Sequence, residues 1–102
     1  MPMKAAYVQE EGIVHGGIIS TLADTAAVYA ILPALPESKG MTSIEFKVNF
    51  LRPVRVDTGD LLARANLVKR GRTIALVEVD VLQQEQLVAK GLFTYLMFDK
   101  QQ

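Results

Sequence analysis

The chain predicts an α+β fold in which one central helix is wrapped by a curved antiparallel sheet. Three observations carry that expectation. Apolar residues recur at helical spacing up to Pro33, then switch to a period of two after Gly40. The segment that would be helical is apolar nearly all round, so it needs cover on more than one side. Everything after residue 40 divides at turn signals into four strand-length pieces.

Taken in order, residues 4–8 (Lys-Ala-Ala-Tyr-Val) have the composition of a short strand, and residues 9–14 that of a loop holding Gly12. A helix follows from residue 17 to about residue 32, with Ile18, Leu22, Ala26, Tyr29 and Ala30 on one stripe. Ile19, Ala23, Ala27 and Val28 widen the stripe, leaving Asp24 and small hydroxyls as its polar content. Pro33 and Pro36 end it.

The first long strand alternates Ile44, Phe46, Val48 and Phe50 with Glu45, Lys47 and Asn49, and Pro53 closes it. That alternation predicts a half-buried strand. Asp57-Thr58-Gly59-Asp60 forms a turn, residues 61–69 a second strand, and Arg70-Gly71-Arg72 a hairpin connection. Residues 73–83 make a third strand around Val77, Val79 and Val81, and Gln84-Glu85-Gln86 turns the chain. Residues 87–98 are apolar on both faces, which places the fourth strand centrally in the sheet. So short a chain cannot surround the helix, and a partner subunit is expected to cover its bare side.

At 102 residues the chain forms one domain, and half of its residues are hydrophobic, which argues against disorder. Lys+Arg and Asp+Glu balance at 11 each, with no long basic run, so neither nucleic acid nor a membrane surface is the expected partner. The absence of cysteine excludes disulfides, thiolate nucleophiles and cysteine metal sites. No signal-peptide layout opens the chain and no uninterrupted apolar run reaches membrane length, so a cytoplasmic location is expected. Neither a metal nor a separate cofactor is expected. One histidine and one aspartate fall short of the three protein ligands of a catalytic zinc site.

The chemistry concentrates in His15-Gly16-Gly17-Ile18-Ile19-Ser20-Thr21-Leu22-Ala23-Asp24. Glycines at a helix start let a ligand approach unpaired N–H groups at the positive end of the helix dipole, a means of holding an oxyanion. A carboxylate within an otherwise uncharged helix is costly unless paired, exposed or employed. Donors for an oxyanion and a base or nucleophile are the two parts that acyl transfer needs. Asp24 follows Gly16 by eight residues, a rise of roughly 12 Å. A base works within about 3 Å of the proton it takes. If both groups act on one carbonyl, they come from different subunits.

Gly12-Ile13-Val14-His15-Gly16-Gly17 and Leu22-Ala23-Asp24-Thr25-Ala26 resemble the acyl-CoA thioesterases of the hotdog fold, in the phenylacetate-degradation (PaaI-type) branch. The likeness continues through Met41-Thr42-Ser43-Ile44-Glu45-Phe46, Phe50-Leu51-Arg52-Pro53-Val54, Lys69-Arg70-Gly71-Arg72 and Leu87-Val88-Ala89-Lys90-Gly91, covering residues 9 to 98. The resemblance implies a homodimer or dimer of dimers, a small-molecule acyl-CoA substrate with coenzyme A as part of it, and a site shared between subunits. It implies Asp24 as general base or nucleophile, Gly16 as oxyanion donor and Thr42 as a hydroxyl orienting water. Members usually carry Asn where this chain has Gln9, which keeps the amide one methylene further out.

His15 reads as an orienting group for the loop or the Gln9 amide, with a purely structural role as the competing reading. Gly17, Arg70, Gly71 and Arg72 are the candidate substrate-binding residues, because arginine forks suit the phosphates of coenzyme A. The main alternative is a non-catalytic hotdog module that binds acyl-CoA or a lipid-like ligand. A hydratase on the same fold would want a different arrangement of His and Asp.

Overall fold

The computed structural model describes Met1, Lys4 and residues 12–100. The strand expected over residues 4–8, apart from Lys4, lies outside the described residues, as does Gln9. Among the described residues the order is helix α1 (Gly16–Ile31), a short 3-10 turn (Leu32–Ala34), then strands β1 (Lys39–Phe50), β2 (Leu61–Arg70), β3 (Ile74–Gln83) and β4 (Gln86–Asp99). The four strands form one antiparallel sheet in the order β1-β4-β3-β2. The central placement of the last strand is therefore what the structure has.

Helix α1 begins where the chain is pinned from outside. The Val14 N–H donates to the Val54 carbonyl at 2.7 Å, and the Val56 N–H donates to the Gly12 carbonyl at 3.1 Å. Gly12 holds a φ of +76°, a left-handed backbone that glycine adopts without a steric penalty. His15 is extended at the N-cap, and its carbonyl accepts from the Ile18 and Ile19 N–H groups. Ile19, Ala23, Ala27 and Ile31, four residues apart, make the fully buried stripe. The two alanines let the helix approach the sheet closely.

The sheet gives the helix one continuous apolar floor. Register aligns Ala75, Val77, Val79 and Val81 of β3 with Tyr95, Phe93, Gly91 and Ala89 of β4, all buried. Gly91 is required there. A Cβ would sit 2.9 Å from the Lys47 carbonyl oxygen of the neighbouring strand and 2.8 Å from the Phe93 ring.

The segment Gly16–Ala34 is long and apolar enough to cross a membrane by length and composition. Here it is the core helix, with one face packed on β2 and β3. The opposite face stays open, and Tyr29 on it is 68% exposed.

One expectation needs correction. Strand β1 is not half-buried: Ile44, Phe46 and Phe50 are each more than half exposed. β1 is an edge strand, and the helix lies over β2 and β3 rather than beneath it. Met41 and Val48 reach the core from the β1 inner face, and Phe46 stacks on Phe93 with ring centroids 5.5 Å apart. Helix α1 is buried along one stripe, which leaves bare the side that the sequence expects a partner to cover.

Candidate active site

The start of α1 opens onto a cleft of about 440 Å³ lined by Ile13, Val14, Gly16, Ile19, Phe50 and residues 51–54. Among the described residues, the Gly16 and Gly17 N–H groups have no main-chain acceptor, as expected for the first turn of a helix. Gly16 faces the ring of Phe50, and a Cβ at residue 16 would lie 3.0 Å from Phe50 Cζ. Gly17 is exposed, with nothing within 4 Å of the place a Cβ would take. Its carbonyl accepts the Thr21 hydroxyl at 2.8 Å. His15 is exposed and makes no capping hydrogen bond through its side chain.

The wall of the cleft is held by an irregularity in β4. The register with β3 shifts after Val81 so that Val88 is the extra residue. Its carbonyl turns toward the end of β1 and accepts from the Leu51 and Arg52 N–H groups at 2.8 and 3.2 Å. The Gln83 side chain, buried nearby, donates to the Arg55 and Gly59 carbonyls at 2.8 Å each. Those bonds fix the loop that carries Pro53 and Val54.

Asp24 sits two turns along α1, away from this cleft, and is half-buried. The Tyr95 hydroxyl of β4 donates to its carboxylate Oδ1 and also lies 3.3 Å from its main-chain oxygen. Burial first, and then this hydrogen bond, push the ionisation of Tyr95 well above the usual tyrosine range. The phenol therefore remains a neutral donor at ordinary pH.

The register adds two further groups. Ser43 of β1 pairs with Tyr95, and Ala75 of β3 pairs with Tyr95 on the other side and with Arg70 of β2. Paired residues share a face. Arg70, Ala75, Tyr95 and Ser43 thus form one transverse row on the helix side of the sheet.

This row revises two sequence-based assignments. Thr42 pairs with Leu96 and points to the face away from the helix, so it does not share a face with Asp24. Ser43 is the hydroxyl on the Asp24 side. The hairpin cations also divide between faces: Lys69 and Arg72, with Gly71, line a separate outer cavity of about 290 Å³, whereas Arg70 falls on the helix side. Sequence reasoning missed Tyr95, although a phenol within a run apolar on both faces signals a buried polar group that needs a partner.

A single helix laid on a curled antiparallel sheet, its glycine-opened start above an apolar cleft and a carboxylate two turns on, defines a hotdog domain. The chain belongs to the thioesterase superfamily, whose family model matches residues 11–90. Thioesterase HI1161 from Haemophilus influenzae superposes with a TM-score of 0.86 at 31% identity, over 97% of this chain and 68% of that one. The BH2602 protein from Bacillus halodurans, solved with CoA, superposes with a TM-score of 0.88 at 28% identity, over 95% and 64% of the two chains. Human acyl-coenzyme A thioesterase 13 is 26% identical over 96 residues, 92% of this chain and 67% of that protein. A Halobacterium salinarum relative is 43% identical over 74 residues, 71% of this chain and 47% of its own length. The chain spans 47% to 60% of the length of three curated relatives that it matches.

Proposed function

We propose that the protein hydrolyses acyl-CoA thioesters at a site shared between two copies of the chain. The observation that carries the reading is the separation of Gly16 and Asp24 on one helix, each beside a different end of β1. Gly16 lies against Phe50, the last residue of β1, while Asp24 is held by Tyr95, the register partner of Ser43 near the strand's start. β1 is an exposed edge with Ile44, Phe46 and Phe50 uncovered. An antiparallel self-pairing of this edge places a two-fold axis through its middle and exchanges its two ends. Gly16 of one copy then approaches the Ser43 and Asp24 end of its partner, and the apolar residues of β1 gain cover.

In such a site the Gly16 N–H donates to the thioester carbonyl oxygen, and Asp24 of the other copy takes a proton from water. The water oxygen adds to the carbonyl carbon, and negative charge builds on the oxygen that faces the helix N-terminus. Collapse of that intermediate breaks the carbon–sulfur bond and releases the CoA thiolate, which takes up a proton. The thiol pKa is about 8.5, so departure requires no strong acid. The acyl group occupies the apolar cleft along Ile13, Ile19, Phe50 and Leu51. Human acyl-coenzyme A thioesterase 13 and the CoA complex of the Bacillus protein support the substrate class.

Release of free thiol from a panel of aromatic and aliphatic acyl-CoAs, followed with a thiol-reactive dye, tests the reading. Turnover of at least one class above the no-enzyme rate is expected. Saturable binding of acyl-CoA with no thiol release across the panel would replace hydrolysis with a binding role.

A further inference from the structure

We propose that Tyr95 is a positioning residue for Asp24: its hydroxyl engages one carboxylate oxygen and leaves the other to face the reacting water. This rests on the reading of Asp24 as the acting carboxylate. Tyr95 lies on the inner row of β4 between Phe93 and Met97, and all three are buried. Packing at that point calls for a ring but not for a hydroxyl, since the neighbours along the row are apolar. A buried phenol must find an acceptor, and both acceptors it meets belong to Asp24. The phenol has a single proton. The charged carboxylate is the stronger acceptor, which leaves the main-chain oxygen at 3.3 Å a secondary contact.

The support behind the phenol is rigid. β4 is hydrogen-bonded on both sides, to β1 and β3, so the tyrosine projects from an interior strand of the sheet. An aspartate on a helix otherwise turns about two side-chain bonds. Fixing one oxygen fixes the direction of the other.

The other groups facing Asp24 do not compete for this role. β2 and β3 present Ala63, Ala65, Leu67, Ala75, Val77 and Val79 beneath the helix, none of them titratable. From β1 the row contributes the Ser43 hydroxyl, and Lys39 further along is paired with Asp99 at 2.9 Å. Arg70 stands two strands from Tyr95 in the same row, about 10 Å away. On α1 itself, the titratable neighbour is Tyr29, which is exposed. Among the described residues, Tyr95 is the one donor in contact with the Asp24 carboxylate.

Tyr95→Phe keeps the ring and deletes the donor. The expected result is a fall in kcat of about tenfold with KM little changed, the scale of one hydrogen bond to a charged group. The loss should persist when kcat is expressed per folded molecule, because the carboxylate has lost the donor that orients it. A role confined to stability would lower the folded fraction and leave kcat per folded molecule unchanged. That result, or wild-type kinetics, overturns the proposal.

If Tyr95→Phe does not fold, uniform replacement of the three tyrosines by 3-fluorotyrosine supplies a stronger donor of nearly the same shape. The kcat per folded molecule should then change with KM unmoved, and an unchanged kcat overturns the proposal. Asp24→Asn in the same assay separates the two failures. An inactive Asp24→Asn beside an unaltered Tyr95→Phe sinks the tyrosine role alone, whereas a fully active Asp24→Asn sinks both readings.

Discussion

The ring of Phe50 lies against Gly16 so closely that a Cβ at residue 16 would stand 3.0 Å from Phe50 Cζ. The end of β1 is thereby fitted to the start of the helix, and both line the same apolar cleft. Gly16→Ala should lower stability by about 1 kcal/mol through overpacking. Combining it with Phe50→Leu should give a loss smaller than the sum of the two single changes. Chemical denaturation of the four proteins measures the coupling. Strict additivity would mean that the ring and the glycine do not constrain one another.

Asp24→Asn preserves shape and removes the base. A kcat at least ~100-fold below wild type is expected, the lower end of general-base catalysis. Steady-state kinetics on whichever acyl-CoA is turned over checks this, with circular dichroism confirming the fold. Near-normal turnover in a folded variant removes Asp24 from the mechanism.

The hairpin between β3 and β4 carries Gln84 and Glu85 at φ values of 51° and 66°, both left-handed and neither a glycine. Two-residue loops of this kind favour Asn-Gly, because both central residues need positive φ. The double change Gln84→Asn, Glu85→Gly should raise stability by about 0.5–1 kcal/mol, visible as a higher Tm. Unchanged or reduced Tm would mean that the loop strain is already relieved elsewhere.

On the outer face, the Lys90 ammonium bonds Glu78 at 2.8 Å and Asp80 at 2.9 Å. The hydrogen bonds to Asp80 and then Glu78 raise its pKa to about 12. Against an unfolded value of about 10.4, its contribution is complete below that pH and lost as pH rises through about 12. Lys90→Met should therefore show a flatter fall of stability across that alkaline window than wild type. Parallel curves for the two proteins would contradict the linkage.

The elements were legible in the sequence because each carries its own period: four-residue spacing from Ile19 to Ile31, then alternation such as Val77, Val79, Val81. Which side chains meet was less legible, because bulges reset the alternation. Counting back by twos from Phe46, which stacks on Phe93, would put Thr42 on the inner face. The register shift between Ser43 and Glu45 reverses that and brings in Ser43 instead. A second shift, between Leu67 and Lys69, puts Arg70 on the inner face in place of Lys69. A bulge leaves little trace in composition. The exposure of β1 was hidden for another reason: alternation reports that a face is apolar, not which molecule covers it.

Complementation between subunits tests the shared site most directly. Gly16→Pro removes the N–H assigned to the oxyanion, a loss of roughly 3 kcal/mol in comparable sites. Gly16→Ala, which adds a Cβ against Phe50 but keeps the N–H, serves as its packing control. Each of Asp24→Asn and Gly16→Pro should be nearly inactive alone. In a mixed dimer, one site holds both lesions and the other holds neither. With folding and subunit exchange confirmed, mixing the two should restore up to about a quarter of wild-type activity, since half of the dimers are mixed and each has one intact site of two. No recovery despite proven exchange would contradict a site built from Gly16 of one copy and Asp24 of the other.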